Sequence, residues 1–338
     1  MLNIGFIGVG SISSVHLNYL KSRNDIRIAA LSDISTDLVK DKQNSYGGNA
    51  YLDYNEMLKK EKLDAVWICT PSDIREAPLI ACAELGLPVF CEKPAERSLE
   101  KALKIAEKLD NLNAKVQVGY VFRSNQVVKA LKEHIKTDKI HLVQSFYGCN
   151  VSLSMGLKPW FYEKEISGGA LVDQATHNLD LLRCLFGEVK EVVGFAGNPV
   201  HAKNAGYSVD EVITLSFRFE QGVLASHTHT WVGDNWRNEI VLSGEKALYR
   251  LNPSRKLSVE QNCNDPLKES TDISNDNNTV EQQGSMYADE DSIFLEMIEN
   301  GNWDKNPSTY RDAIKSLQLT LACDRAITER EIVRIDSI

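Results

Sequence analysis

No Cys-x-x-Cys pair occurs in the 338 residues, and the cysteine count is an odd 7. Cys69, Cys82, Cys91, Cys184 and Cys323 stand singly, mostly in apolar segments. That is the pattern of reduced, buried thiols in a cytoplasmic protein and argues against a disulfide framework. Positive charge is also in deficit: the net charge is −9, so neither nucleic acid nor an anionic membrane is expected as a partner. Long hydrophobic runs are missing, since none reaches the ~18 residues of a membrane span. The opening MLNIGFIGVG lacks the basic start and long apolar stretch of a signal peptide. A cytoplasmic location follows as the expectation. What remains is ordinary for a soluble globular chain, with 43% apolar and 25% charged residues. The length favours two domains, each able to bury a core without staples.

The first part of the chain alternates short apolar runs with amphipathic stretches. Leu2–Ile7, Ile26–Leu31, Ala65–Cys69, Val89–Cys91 and Lys115–Gly119 read as strands, and Ser14–Leu20, Thr36–Gln43, Tyr54–Lys60, Ala77–Leu85 and Leu99–Leu109 as helices. Alternation of this kind predicts a parallel sheet with helices on both faces. Beyond about residue 125 the period changes. His141–Tyr147, Val189–Ala196, Val209–Phe219, Val223–Trp231, Arg237–Leu242 and Ala247–Leu251 read as strands, several with period-two alternation. Gln221-Gly222 has the form of a hairpin turn. Asn262–Asn278 is a solvated excursion on composition, and helices return over Asp289–Glu299 and Pro307–Thr328. The expected fold is α/β: a Rossmann domain over residues 1–122, then an α+β domain over 123–338 with a mostly antiparallel sheet. The C-terminal helix is free to pack back on the first domain.

Gly8-x-Gly10-x-x-Ser13 follows a predicted strand and opens a predicted helix, the context that gives this spacing meaning. Gly8 permits a tight turn, and Gly10 lets the backbone approach a pyrophosphate. The helix N-terminus, with Ser11 and Ile12, supplies amide hydrogens and a favourable dipole. Asp33 lies twenty residues past Ser13, where a carboxylate accepts from adenosine ribose hydroxyls and repels a 2′-phosphate. No arginine follows it, so NAD is expected over NADP. A plain strand–turn–helix and an ordinary turn aspartate are the bland alternatives.

SGGALVDQATHNLDLL, residues 167–182, carries Asp173, His177 and Asp180 at spacings of four and three, on or near one helical face. Solvated surface, a metal site and an acid/base centre all fit that pattern alone. The spacing is not of the His-Glu-x-x-His type and no further ligands complete it, so no metal is expected. His227 and His229 share one face of a predicted strand. They invite a metal reading too, but are expected on a surface or interface of the sheet.

Taken with Ile68-Cys69-Thr70-Pro71 and Cys91-Glu92-Lys93-Pro94, in this order and spacing, the segment resembles the Gfo/Idh/MocA oxidoreductase family over essentially the whole chain. The resemblance implies a large open sheet in the second domain and hydride exchange between NAD(P) and a sugar, polyol or similar hydroxyl compound. It also implies a homodimer or homotetramer formed through that sheet. Lys93 matches the lysine near the nicotinamide and reacting hydroxyl; Asp173 and His177 match the other two polar site residues. Thr70 and Pro71 match a loop along the cofactor, and Glu92 a residue near its ribose. Arg123 falls where substrate contacts occur. Tyr120, Trp160 and Tyr162 either wall the pocket or are core aromatics. The sequence departs from the pattern at Arg75, where histidine is common, and at Ser13, where glycine or a small apolar residue is usual.

Oxidising a secondary alcohol needs a hydride acceptor, a base and a group to hold the developing alkoxide. His177, with an imidazole's ordinary pKa of ~6.5, suits the base. Lys93 suits the alkoxide, and Asp173 a second hydroxyl or the imidazolium. The order of proton transfer between Lys93 and His177 stays open. Two other functions fit the same residues. One is an NAD-dependent glycosidase working by transient oxidation and elimination; the other is a non-catalytic dinucleotide-binding regulator, against which retention of Lys93 and His177 argues. Gly168 and Gly169 are expected to let the chain pass close to cofactor or substrate.

Overall fold

In the computed structural model, which describes residues 1–151, 159–204, 206–233, 236–261 and 279–338, the chain divides into two units. The first comprises Met1–Ser124 and Gly284–Leu317, the second Asn125–Gln283 and Gln318–Ile338.

The first unit contains β1 (Leu2–Ile7), α1 (Ser13–Ser22), β2 (Ile26–Ser32), α2 (Thr36–Tyr46), β3 (Asn49–Tyr51), α3 (Tyr54–Lys60), β4 (Ala65–Ile68), α4 (Glu76–Glu84), β5 (Val89–Glu92), α5 (Leu99–Asn111) and β6 (Val116–Gly119). Its strands are all parallel, in the order β3-β2-β1-β4-β5-β6. This is the Rossmann order, and it reverses between β1 and β4. Strands β4, β5 and β6 are buried at every residue, as strands covered on both faces must be. Polar side chains set the helix starts: Ser35, Asp53 and Ser98 each accept a backbone N–H from the first turn of α2, α3 and α5. β3 was not expected; three half-polar residues at a sheet edge are too few to display a period.

Three rings run across the sheet in register. Phe6 stacks on Trp67 at 5.8 Å, and Trp67 on Phe90 at 5.9 Å. After a long excursion the chain returns with α9 (Met286–Asn300), whose Phe294 meets Trp67 and Phe90 edge-on at 5.0 and 5.8 Å. The expected second domain ran from residue 123 to 338 with the C-terminal helix free to pack back on the first, and it is the wider segment Gly284–Leu317 that clusters with the N-terminal residues. This aromatic packing is the physical reason, each such pair adding ~0.5–1.5 kcal/mol beyond its burial.

The second unit contains α6 (Gln126–Ile135), β7 (Ile140–Gly148), α7 (Lys164–Ser167), α8 (Thr176–Phe186), β8 (Val189–Gly197), β9 (Val212–Phe219), β10 (Leu224–Thr230), β11 (Arg237–Gly244), β12 (Ala247–Asn252), β13 (Lys256–Gln261), β14 (Thr279–Glu281) and β15 (Val333–Arg334). The helix α10 (Tyr310–Glu329) begins in the first unit and ends in the second. Nine strands form one sheet in the order β14-β13-β12-β11-β7-β10-β9-β8-β15, antiparallel except for β7 against β10. The β9–β10 hairpin turns at Gln221-Gly222, with Gly222 at φ +89°. The expected excursion over Asn262–Asn278 lies outside the described residues. One face of the sheet is buried, with Val143, Ser145, Leu215, Phe217, Ala225, Ile240 and Leu242 pointing into it. Leu142 and Leu224 lie on the other face, 40% and 47% exposed, so the sheet is open on that side.

His227 and His229 sit on the covered face. Both are fully buried, with ring centroids 5.9 Å apart. The expectation that they line a surface is therefore corrected: the period-two register that puts Leu224 outside puts these rings inside. His227 Nδ1 pairs with Ser145 Oγ at 2.9 Å, and His229 packs edge-on to Tyr147 at 5.2 Å. Burial holds the His227 imidazole down to about 3. Burial, and then the His227 ring beside it, hold His229 well below its ordinary value. Both are neutral in the folded chain at pH values where an unfolded histidine, with a pKa of about 6.5, takes up a proton. Below about pH 6.5 the unfolded state therefore binds more protons, and stability falls with pH by up to about 1.4 kcal/mol per pH unit for each ring. His229→Phe is predicted to remove about one proton's worth of that slope between about pH 4 and 6 in denaturant titrations. An unchanged slope would show that His229 is charged in the folded chain.

Candidate active site

In the first unit the candidate residues gather at the carboxyl ends of β1, β2, β4 and β5, beside the reversal of strand order. Gly8, directly after β1, has φ +82°, and a Cβ there would lie 2.8 Å from the Thr70 nitrogen. Only glycine fits, because the loop after β4 passes against it. Gly10 is different. Its φ lies outside the left-handed region, and a Cβ there would meet nothing within 4 Å. The protein's own packing does not call for glycine at Gly10, whereas a phosphate laid on the helix start would. Ser11 and Ile12 follow as the turn into α1. Ser13 is fully buried, and its hydroxyl donates to the Gly10 carbonyl at 2.7 Å. That closes the departure from glycine: the hydroxyl is small and satisfied within its own turn. Asp33 links two loops, accepting Val9 N–H on Oδ2 and Ser35 N–H on Oδ1, both at 2.9 Å.

The other departure from the family pattern does more. Arg75 is 4% exposed. Its Nε and Nη2 donate to the Thr70 carbonyl at 2.8 and 2.6 Å, and its Nη1 to the carbonyls of Pro94, at 2.5 Å, and Glu92. Nη2 also reaches the Lys93 carbonyl at 3.4 Å. One guanidinium therefore ties the Thr70-Pro71 loop to the Glu92-Lys93-Pro94 turn, where the Lys93–Pro94 peptide is cis. Such hydrogen bonds from a charged donor are worth ~1.5–3 kcal/mol each. Pro71 is exposed and Lys93 half-buried at this edge. The Thr70 hydroxyl is buried without a hydrogen-bond partner among the described residues.

Glu92 does not face outward, as a ribose contact would. It is 4% exposed; Oε1 lies 3.0 Å from His16 Nε2, and Oε2 accepts the Lys93 N–H at 3.1 Å. Its described contacts are to His16 and to the backbone of the turn it belongs to. His16 belongs to a cluster that the sequence reading missed. Its Nδ1 lies 2.9 and 3.0 Å from the Asp291 carboxylate oxygens, and the Trp67 indole donates to Asp291 at 2.9 Å. Burial lowers His16, but the Asp291 charge and the hydrogen bonds to Asp291 and Glu92 outweigh it, leaving the ring well above its ordinary value. A signal existed in the sequence: His16 falls on the buried stripe of α1 with Ser13, Leu17 and Leu20.

Arg123, expected near substrate, is buried among partners of the first unit, and Tyr120 takes the core-aromatic alternative. Tyr120 is 2% exposed. Arg123, 6% exposed, pairs with Asp312, donates to the Pro307 carbonyl at 2.7 Å and lies over the Tyr120 ring. Its charge fastens the turn after β6 to the segment leading into α10.

In the second unit, Asp173 and His177 are both half-buried and stand at the entry to α8. Asp173 lies in a π-helical turn, Leu171–Ala175, and His177 is the second residue of α8. Wide turns of this kind are frequent at functional sites. Gln174 pins this one, accepting from Trp231 Nε1 at 2.5 Å and Cys149 Sγ at 2.8 Å. Asn178 pins the helix that follows: it exchanges amide hydrogen bonds with Asn238 at 2.9 Å and donates to Ser145 Oγ at 2.9 Å. Asp180 is 1% exposed. Gly168 and Gly169 have φ +78° and +64°, and Cβ atoms there would lie 2.5 Å from Val172 Cβ and 3.2 Å from Val209 Cβ. Their positive φ and the close approach of Val172 and Val209 already call for glycine at both positions. Tyr162, 5% exposed, stacks on Tyr207 at 5.4 Å and is a core aromatic. Trp160 lies in the turn Pro159–Tyr162, but its side chain is outside the described set.

The comparisons agree with both halves. Residues 2–120 match a family described as "Oxidoreductase family, NAD-binding Rossmann fold", and residues 126–250 the "GFO/IDH/MocA C-terminal domain". The myo-inositol 2-dehydrogenase of Thermotoga maritima is 24% identical, over 100% of this chain and 99% of its own. The inositol 2-dehydrogenase of Rhizobium meliloti is 24% identical over 99% of each chain. A solved scyllo-inositol dehydrogenase from Lactobacillus casei, with bound NAD(H) and scyllo-inositol, superposes with a TM-score of 0.78 at 18% identity, over 99% of each chain. Among the described residues no helix is long and apolar enough to cross a membrane.

Gly10→Ala separates a cofactor loop from a plain turn. It is predicted to leave the thermal midpoint unchanged and to weaken NAD binding by tenfold or more, about 1.4 kcal/mol, by calorimetric titration. Equal NAD affinity in the two proteins would remove Gly10 from the site.

Proposed function

Since the chain belongs to the Gfo/Idh/MocA oxidoreductase family, and is an NAD(P)-dependent dehydrogenase or reductase acting on CH–OH groups with an NAD-binding Rossmann domain, we propose that its substrate is a sugar, polyol or related compound, with Lys93, Asp173 and His177 as its catalytic residues. The observation that carries this reading is the Glu92-Lys93-Pro94 turn, fixed by Arg75 beside the glycine loop at the edge where strand order reverses. A lysine held there by its own backbone is suited to meet a reacting oxygen. The named activities of the two relatives at 24% identity support the polyol class.

When bound, NAD supplies the hydride acceptor. Gly8, Gly10, Ser11 and Ile12 would hold its phosphates. Asp33 would take the ribose hydroxyls, which favours NAD over NADP, and Thr70, Pro71 and Lys93 would border it. Lys93 stabilises negative charge on the substrate oxygen, a role whose loss costs ~10²–10³-fold. His177 moves the hydroxyl proton, worth ~10²–10⁴-fold. Asp173 holds a neighbouring hydroxyl or favours the imidazolium.

A panel of inositols, sugars and sugar acids, followed by NADH absorbance, is expected to reveal turnover. Lys93→Ala is predicted to lower it by at least about 100-fold with NAD affinity kept within about threefold. Full turnover in Lys93→Ala would overturn the assignment. Cleavage of aryl glycosides without net NADH would place the chain with NAD-dependent glycosidases instead.

A further inference from the structure

Two nitrogens of one buried imidazole face two carboxylates. His16 Nδ1 meets Asp291 and Nε2 meets Glu92, with His16 fully buried. Ionised carboxylates only accept, so both bonds form together only if both ring nitrogens carry hydrogen. The proposed reaction does not use this charge directly. What it serves lies one residue further along, because the second Glu92 oxygen accepts the Lys93 N–H. On the other side of that residue, the Lys93 carbonyl takes its bond from Arg75. The lysine backbone is thus held at both ends by buried side chains, and its N–H end leads back to His16.

We propose that His16, held by Asp291, is a positioning residue for the dehydrogenase: it fixes the Glu92 carboxylate, which fixes the backbone of Lys93. The proposal rests on the assignment of Lys93 to the reacting oxygen. The titratable groups facing His16 are Glu92 at the end of β5 and Glu290, Asp291 and the edge-on Tyr287 on α9. Those facing Glu92 are His16, Lys93 and Arg75, with the Cys69 and Cys91 thiols nearby. Burial raises Glu92, yet its bond to His16 and the charges of His16, Lys93 and Arg75 hold it below the ordinary carboxylate range. Glu290 goes the other way. Burial pushes it well above that range, and the Glu92 and Asp291 charges add to the effect against the pull of His16. Burial thus favours its neutral form, and its Oε1 has no hydrogen-bond partner among the described residues. His16 is thus placed to bridge the Glu92 and Asp291 carboxylates through its two ring nitrogens, with Glu290 the acid that burial turns toward its neutral form. Without the His16 charge, Glu92 is the group left under-compensated. It takes up a proton, and the Lys93 N–H loses its anionic acceptor.

The experiment compares the full chain with His16→Gln, which keeps an amide donor and removes the charge, with Glu92→Gln, and with the double variant. In the unaltered protein, nitrogen-15 spectra of labelled histidine are expected to show both His16 nitrogens still protonated at pH 7, above the ordinary midpoint of ~6.5. A neutral ring at pH 7 would overturn the proposal. In His16→Gln, hydrogen exchange at the Lys93 amide is expected to speed up about tenfold or more. Turnover of the panel compound should fall roughly 10- to 100-fold, the scale of a ~1 Å displacement, with KM for NAD within about threefold. The double variant should be no worse than the poorer single one, because both act through one bond. Unchanged Lys93 exchange, additive losses, or a loss confined to thermal stability would make the cluster merely structural and sink the idea. If Lys93→Ala keeps full turnover, the reaction assignment fails on its own, while the exchange measurement still judges the His16–Glu92–Lys93 linkage. Should His16→Gln not fold, Asp291→Asn preserves the shape, loosens the hold on the ring, and is read by the same exchange and turnover measurements.

Discussion

A buried guanidinium that donates to several main-chain carbonyls is an expensive thing to place in a fold. Arg75 does this with the carbonyls of Thr70, Glu92, Lys93 and Pro94. The loop after β5 has no regular structure of its own and the loop after β4 only the single 3-10 turn Ser72–Ile74, and loops left to themselves move. Here two of them are joined through one side chain whose fork can satisfy several acceptors at once. The Thr70 backbone is also what makes Gly8 obligatory, so the glycine loop inherits its shape from the same fastening. The candidate site's edge of the first unit thus follows from one charged group finding enough oxygen atoms.

The second unit solves a similar problem without a net charge. The entry to α8 is fixed by Gln174 in the π-helical turn and by Asn178 one turn on, both bonded to buried polar partners on or beside the sheet. Below Asn178 lie Ser145 and His227, so the covered face of an otherwise apolar sheet carries a polar seam where the helix starts. The seam fixes the main chain at the helix start from which Asp173 and His177 project. Both units hold their candidate residues by fixing the backbone on either side of them.

Much of this was legible in the sequence. The apolar runs of β1, β4 and β5 and the switch to period two after residue 125 predict both sheets, because strands buried on two faces and on one face read differently. Gly8, Asp33, Lys93 and His177 stand where motif spacing puts them. The partners of these residues were not legible. His16 reads as one polar residue in a mixed helix, and its partner Asp291 lies 275 positions away in an acidic helix start. Only the return of the chain after residue 284 brings them together. Glu92 was expected to face a ribose because spacing gives a residue's place but not its side-chain direction. His227 and His229 were misplaced for the same reason, since their register sends them inward.

The central claim is that the loops after β1, β2, β4 and β5 form one prearranged cofactor edge. Hydrogen–deuterium exchange of the whole chain with and without saturating NAD tests it most directly. The account predicts that NAD slows exchange together at the amides of residues 9–13, 33–35, 70–75 and 92–95, while the helical faces of the first unit stay as they were. Protection confined to the glycine loop, or appearing away from these four segments, would contradict it.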